Sequence, residues 1–299
     1  MSPAPDRLAS SLARDPLAAS ATVICALLAI AALAAPWLAP SNPYDLRSYN
    51  LLYAHVPPAW MQGGERQFLL GTDEQGADLL SMLLHGLRLS LGIGLLAVML
   101  SITLGVTLGL VAGYRGGWID VVVMRLADLQ LTFPAILMAL LCSGVAASLL
   151  AQAERAKLAV PLVILALGLS HWPHFARLVR GATLVERDRD YVAAARIMGV
   201  STPRILFRHV LPNVLNPVLV LGTVDIAYAI MGEATLSFLG LGVPPTYPSL
   251  GALVRQGYSF LFSGVWWIVV FPCALLVLVV VAVNVSGDWL RVALNPKLR

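Results

Sequence analysis

Few side chains in this sequence have the types and spacing to do chemistry, and most of those that do sit among apolar neighbours. Asp128, Asp225 and Glu233 fall within or beside long apolar runs. An ionisable group at membrane depth is a functional candidate by default, on a solute path or a relay. A carboxylate facing such a path would pair with a cation such as the amino terminus of a peptide. The competing reading is a carboxylate bonded to a neighbouring helix. It is favoured for Asp128, which has Arg125 at i−3 on the same face, and for Glu233, which belongs to the turn "GEATLSFLGLG". His171 and His174 flank Trp172 and Pro173, a spacing that invites a metal. No third ligand stands near them in sequence, so packing or interfacial anchoring is the preferred reading. Ser170 and His171 are adjacent, so on a helix their side chains diverge, and no GxSxG context surrounds them. No paired intramembrane aspartates with a signature motif occur either. An intramembrane protease therefore finds no support. Cys25, Cys142 and Cys273 lie in apolar runs with neither disulfide nor metal spacing, and read as small core residues. The only lysines are Lys157 and Lys297, and neither completes a GxxxxGK[ST] loop. The chain cannot hydrolyse ATP through a Walker-type site, so any uphill transport must draw its energy from a partner.

The elements that must position these groups are membrane-spanning helices. Hydrophobic residues make up 59% of the chain and charged residues 12%, against about a quarter charged in a soluble domain. Six runs approach or exceed the roughly 20 apolar residues that cross a hydrocarbon core. No strand-like alternation suggests a barrel. The expected fold is all-α and polytopic, with six transmembrane helices near 18–39, 90–113, 120–143, 158–180, 212–235 and 264–288. The first run follows Arg7 and Arg14 as a signal peptide would, but it is too long for an ordinary h-region and reads as a retained anchor. Segments 40–85 and 236–263 read as turn-rich polar interludes. Trp266 and Trp267 open the sixth span as an outer-interface belt.

Basic residues set the orientation. With the N-terminus in the cytoplasm, the inside holds Arg7, Arg14, Arg115, Arg177, Arg180, Arg187, Arg189, Arg196, Arg204, Arg208, Arg291, Lys297 and Arg299. The outside holds only Arg47, Arg66, Arg155, Lys157 and Arg255. The reading is N-in and C-in. It also accounts for the net charge of +4 without nucleic acid. Gly105 and Gly109 form a GxxxG pair, read as close packing within the chain.

The stretch "DYVAAARIMGVSTPRILFRHVLPN", residues 190–213, then faces the cytoplasm. Asp190 suits a helix N-terminus. Ala193, Ala194 and Ala195 are strong helix formers with almost no side chain. Gly199 would end the helix as a C′ glycine, Pro203 permits a new start, and Leu211-Pro212 leads into the fifth span. The result is a short extramembrane helix that another protein can approach closely.

This stretch resembles the cytoplasmic loop of binding-protein-dependent ABC importer permeases. The spacing from Gly199 to Leu211-Pro212 fits that family. Ala193 stands where the family usually has Glu, and His209 at an Ile position. Further segments are similar to the C-type subunits of its dipeptide/oligopeptide branch: "LLGTDEQGADLLSMLLHGLRLSLGIG", "GYRGGWIDVVVMRLADLQLTFP", "ARLVRGATL", "GEATLSFLGLGVPPTYPSLGAL" and "NVSGDWLRVALNPKLR". Ala77 departs from that branch's common Arg.

The resemblance implies a type I ABC importer permease fold. Residues 1–68 would form an N-terminal segment with the first transmembrane helix and a periplasmic loop. Residues 69–299 would form the permease core, with a coupling loop at 177–211. It implies a multi-pass protein of the bacterial cytoplasmic (inner) membrane, in a heterodimer with a second permease subunit. Two ATPase subunits would bind ATP and Mg, leaving this chain with no cofactor and no enzymatic role. An extracytoplasmic peptide-binding protein would deliver dipeptides or oligopeptides. The coupling helix would comprise Asp190, Tyr191, Ala193, Ala194, Ala195 and Gly199, with Leu211 and Pro212 at its exit. Asp225, Glu233 and Asp128 are the substrate-path candidates. The same machinery importing nickel chelates or glutathione is the alternative cargo. An ion-driven secondary transporter is the alternative class, and it leaves the cytoplasmic loop unexplained.

Overall fold

The computed structural model describes residues 15–45, 49–149, 151–244 and 246–294. Arg7, Arg14, Arg47, Lys297 and Arg299, used above for orientation, lie outside the described residues. So does the C-terminal part of the tail that carried the resemblance. Among the described residues, five helices are long and apolar enough to cross a membrane, or six if one bent pair counts as a single span. The helices are α1 (Pro16–Leu33), α2 (Ala35–Leu38), α3 (Leu79–Arg115), α4 (Gly117–Thr132), α5 (Ala135–Leu149), α6 (Gln152–Arg187), α7 (Asp190–Ile197), α8 (Thr202–Ile205), α9 (Leu211–Phe238), α10 (Leu250–Tyr258) and α11 (Trp267–Leu294).

The third expected span is not one helix. It breaks between α4 and α5, whose axes meet at 96°. Pro134 supplies no N–H and pushes Phe133 out of the helical region, to φ −95° and ψ 118°. The second span begins earlier than expected. Asp78 caps α3, its Oδ2 accepting from the Ser81 amide at 2.9 Å, so the polar-looking "LLSMLLHGLR" is already helical. The interlude at 236–263 contains α10, whose Ser249 Oγ accepts from the Ala252 amide at 3.2 Å. Leu250, Gly251, Leu253 and Gly257 turn inward. Trp267 leaves the expected interfacial belt. It is buried, and its indole N–H donates to the Thr72 carbonyl at 3.1 Å, clamping the 49–78 loop onto α11.

α3 and α6 pack most extensively against each other. Gly105, Gly109 and Gly113 form the seam. A Cβ on Gly105 would lie 2.4 Å from Phe175 Cβ, one on Gly109 2.6 Å from the Ala176 carbonyl oxygen, and one on Gly113 2.8 Å from the Arg180 carbonyl oxygen. Only glycine allows backbones this close, which is the intramolecular use of the small-residue motif. The core around the seam joins Ile93, Leu110, Leu167, Phe175 and Val179 to Val214 and Val218 of α9. Val192 of the short α7 is buried in the same cluster.

Between α8 and α9 the chain makes one π turn, Leu206–Val210. Pro212 cannot donate to residue 208, and its ring would press on that carbonyl in a regular helix. The widened turn relieves both, and the helix runs on into the bilayer. Outward-facing Val23, Leu27, Ile30, Leu126, Val277 and Val281 give the bundle an apolar jacket.

Candidate functional site

The site begins with α7. Its end is a complete Schellman turn: the Gly199 amide bonds to the Arg196 carbonyl and the Val200 amide to the Ala195 carbonyl, each at 3.0 Å. Gly199 sits at φ +74°, which glycine adopts without strain. Val192 and Ala195 point inward and are buried. The opposite face presents Asp190, Ala193, Ala194 and Arg196, and continues into Ile197 and Met198, which are 87% and 73% exposed. A short helix is thus anchored on one face and offers small and apolar groups on the other.

Three helices brace it. Tyr191 donates its hydroxyl to Glu186 at the end of α6. Asn213, in the first turn of α9, donates to the Tyr191 oxygen at 3.0 Å and to the His209 carbonyl at 2.9 Å. Burial, and then the hydrogen bond to Glu186, push the Tyr191 phenol above its ordinary value, so it stays a protonated donor. Arg196 Nε donates to the Tyr114 hydroxyl at 3.1 Å with its guanidinium 5.0 Å above that ring, which ties α7 to α3. Arg187 Nη1 reaches the Gly113 carbonyl at 2.8 Å. Leu211 is half-buried and Pro212 exposed where α9 leaves this cluster. The sequence offered no signal for these braces, since Tyr114 and Asn213 are far from residue 191 along the chain.

The three carboxylates have separate surroundings. Glu233 is fully buried. Ser90 donates to its Oε2 and Ser237 to its Oε1, each at 2.7 Å, and the Ser90 oxygen accepts the Leu250 amide at 3.1 Å. Asp128 bonds Arg177 of α6 at 2.5 Å rather than its helix neighbour Arg125. Asp120, next along α4, takes a two-pronged contact from Arg180 at 2.9 and 2.6 Å. Arg177 and Arg180 thus pin the half-span α4 to α6, a role hidden while they counted only as cytoplasmic charge. Asp225 meets His171 Nδ1 through Oδ1 at 2.7 Å, and its buried Oδ2 has no partner among the described residues. The rings of His171 and His174 lie 6.3 Å apart. No three His, Cys, Asp or Glu side chains among the described residues converge on a metal-sized site.

A cavity of about 720 Å³ opens at the other end of the bundle, lined by Tyr49, Asp73, Glu74, Arg255 and Gln256 among others. Gln256 Nε2 bridges Asp73 Oδ2 at 3.1 Å and Glu74 Oε1 at 3.3 Å. Burial pushes the Asp73 carboxyl up. Burial, and then the Asp73 charge, push the Tyr49 phenol up to about 12.

This helical arrangement matches solved structures. A chain of the MetNI methionine ABC transporter in an inward-facing conformation superposes with a TM-score of 0.56 at 19% identity, over 73% of this chain and 98% of that one. The shared fold is that of a type I ABC importer permease. In sequence, the chain is 39% identical over 273 residues to the di/tripeptide transport system permease protein DppC of Pseudomonas aeruginosa strain UCBPP-PA14, covering 91% of this chain and 86% of the relative. It is 42% identical over 268 residues to the dipeptide transport system permease protein DppC of Escherichia coli strain K12, covering 90% and 85%. The family profile described as binding-protein-dependent transport system inner membrane component matches residues 105–299. With that profile spanning most of the bundle from mid-α3 onward, this chain belongs to the family of binding-protein-dependent transport system inner membrane components.

Proposed function

We propose that this chain is the membrane-spanning permease subunit of an ATP-driven importer of dipeptides and short oligopeptides in a bacterial cytoplasmic membrane. A second permease subunit completes the translocation path. Two ATPase subunits bind ATP and Mg, and an extracytoplasmic peptide-binding protein delivers the cargo. The peptide cargo is supported by the names of the relatives above. The observation that carries the mechanism is the build of α7. The helix is buried through Val192 and Ala195, tied to α3, α6 and α9, and bare on the face carrying Ala193, Ala194 and Ile197.

Those ties make α7 a lever. A partner that moves it also moves the Glu186 end of α6 and the first turn of α9. ATP-driven closure of the partner then favours one arrangement of the bundle over another by differential contact. Asp190, Tyr191, Ala193, Ala194, Ala195 and Gly199 form the coupling element, and Leu211 and Pro212 pass its displacement into α9. Of the three carboxylates, Asp225 is the one with a buried oxygen left without a partner among the described residues.

The test is copurification from detergent with the partner subunits, followed by peptide-stimulated ATP hydrolysis. The native chain is expected to retain both ATPases. Ala194→Glu, an exposed position where the helix itself tolerates Glu, is expected to cut their recovery by about tenfold or more, because it buries an unpaired carboxylate in the contact. Undiminished recovery sinks the coupling assignment. A chain that transports in liposomes without ATP or partners overturns the whole reading.

A further inference from the structure

Three ionisable groups in the middle of α6 form a line that the coupling mechanism does not use. His171, His174 and Arg177 follow one another at i, i+3 and i+6 on a single face. Asp225 of α9 closes the upper end of the line at His171, and Asp128 of α4 closes the lower end at Arg177. Asp225 is near the middle of α9, about 20 Å from either end at ~1.5 Å per residue. His174 is exposed, and Arg177 and Asp128 are about half exposed. Charged groups on the open side of a spanning helix are too costly to face lipid, so this face borders water or another subunit.

Asp225 departs from a simple structural ion pair. Its side chain is 8% exposed, His171 occupies only Oδ1, and the buried Oδ2 is unpartnered among the described residues. An unmatched carboxylate oxygen at this depth costs free energy that a donor would recover. Asp128 differs, since Arg177 bonds it at a half-exposed position. Glu233 differs too, since serines take both its oxygens.

We propose that Asp225, held in place by His171, receives the primary ammonium group of the cargo at mid-membrane. This rests on the peptide-importer reading and adds a point of chemical recognition within the permease. The ammonium donates to Oδ2, which is closed to solvent in this conformation and is uncovered as the bundle rearranges, while His171 stays on Oδ1, so no covalent bond changes. Charge pairing compensates the cargo's desolvation where it is greatest. His174 and Arg177 then lie along the same helix toward the cytoplasmic end, with the Arg177 charge already matched by Asp128.

The test uses the complete transporter in proteoliposomes, with Cys25, Cys142 and Cys273 replaced by Ser and His174→Cys introduced. The probes are two thiol reagents of similar size, cationic 2-aminoethyl methanethiosulfonate and anionic 2-sulfonatoethyl methanethiosulfonate. With Asp225 intact, the cationic-to-anionic labelling ratio is expected to exceed that of free cysteine by about tenfold. Asp225→Asn should return it toward the free-thiol value, and Asp225→Glu should keep it high. Uptake of a free-amino dipeptide should fall with Asn and recover in part with Glu. Failure of both reagents to label overturns the proposal, because the face is then closed to water and to cargo. A ratio equal to that of free cysteine, or Asn uptake equal to wild type, also overturns it. In either case ATPase-dependent uptake by the wild type leaves the importer reading standing, whereas loss of partner copurification strikes at that reading instead.

Discussion

Two carboxylates illustrate how a side chain's role follows from its local partners. Glu233 lies in an apolar bundle, yet each of its oxygens meets a serine hydroxyl, and through Ser90 it also organises the start of α10. It is a structural clasp, in line with the sequence reading that favoured a bonded carboxylate there. Asp73, outside the spans, is 2% exposed. Burial raises its carboxyl, while the Ala77 and Gln75 amides and Gln256 oppose the rise without cancelling it. A carboxyl raised in the fold contributes stability that is complete below its ordinary value of 3.8 and lost as pH climbs through the raised value. Wild type should therefore lose stability relative to Asp73→Asn as pH rises from 3.8 toward neutrality. The loss is expected to be about 1.4 kcal/mol for each pH unit of elevation. Thermal unfolding in detergent across that range reads the difference. Parallel curves for the two proteins would mean that the opposing hydrogen bonds hold Asp73 at its ordinary value.

At the scale of elements, the α3–α6 seam and the α4–α5 break show where local sequence suffices and where it does not. Glycines at 105, 109 and 113 announce a close helix contact, but not its partner. Phe175, Ala176, Val179 and Arg180 of α6 fill that place. Gly109→Val should cost about 1–3 kcal/mol or more, because its Cβ meets backbone oxygen and neither helix can retreat. Gly92→Ala, where a Cβ meets nothing within 4 Å, is the control and should be neutral or slightly stabilising. Melting temperatures in detergent check both, and equal behaviour of the two variants would refute the seam. The break at Pro134 was open to reading, since a proline after Phe133 disfavours helix there. The hydropathy on both sides nevertheless suggested a continuous span. Prolines 161 and 173 remain inside α6 without ending it, so a proline alone does not decide between a kink and a break.

For the molecule as a whole, topology makes the sharpest prediction. Arginine bias placed the α7 side in the cytoplasm, and the helix order carries the 259–264 turn to the opposite face. On a chain with its native cysteines replaced, Ile197→Cys and Phe262→Cys put thiols at positions 87% and 92% exposed. An impermeant thiol reagent applied to intact cells should label position 262 and spare position 197 until the membrane is opened. The reverse pattern would invert the protein. Helix order also brings the two polar ends into one mechanical body. α6 and α9 run between the braced α7 below and, through α9 and α10, the Asp73 and Gln256 cavity above.

By itself the sequence determined that the chain crosses the membrane repeatedly, that it is helical, that it lacks a Walker loop, and that residues 190–199 form a short polar helix ended by Gly199. These follow from local quantities: hydropathy summed over about 20 residues, helix propensity, and the need for positive φ at a C′ position. Tertiary structure alone decided which helices touch. It paired Asp128 with Arg177 instead of Arg125, joined Asp225 to His171 across 54 positions, drew Trp267 inward to Thr72, and tied Tyr191 to Asn213. Such pairings depend on the relative rotation and approach of distant helices. That geometry is set by the packing of many small and apolar side chains together, so no short window of sequence carries it.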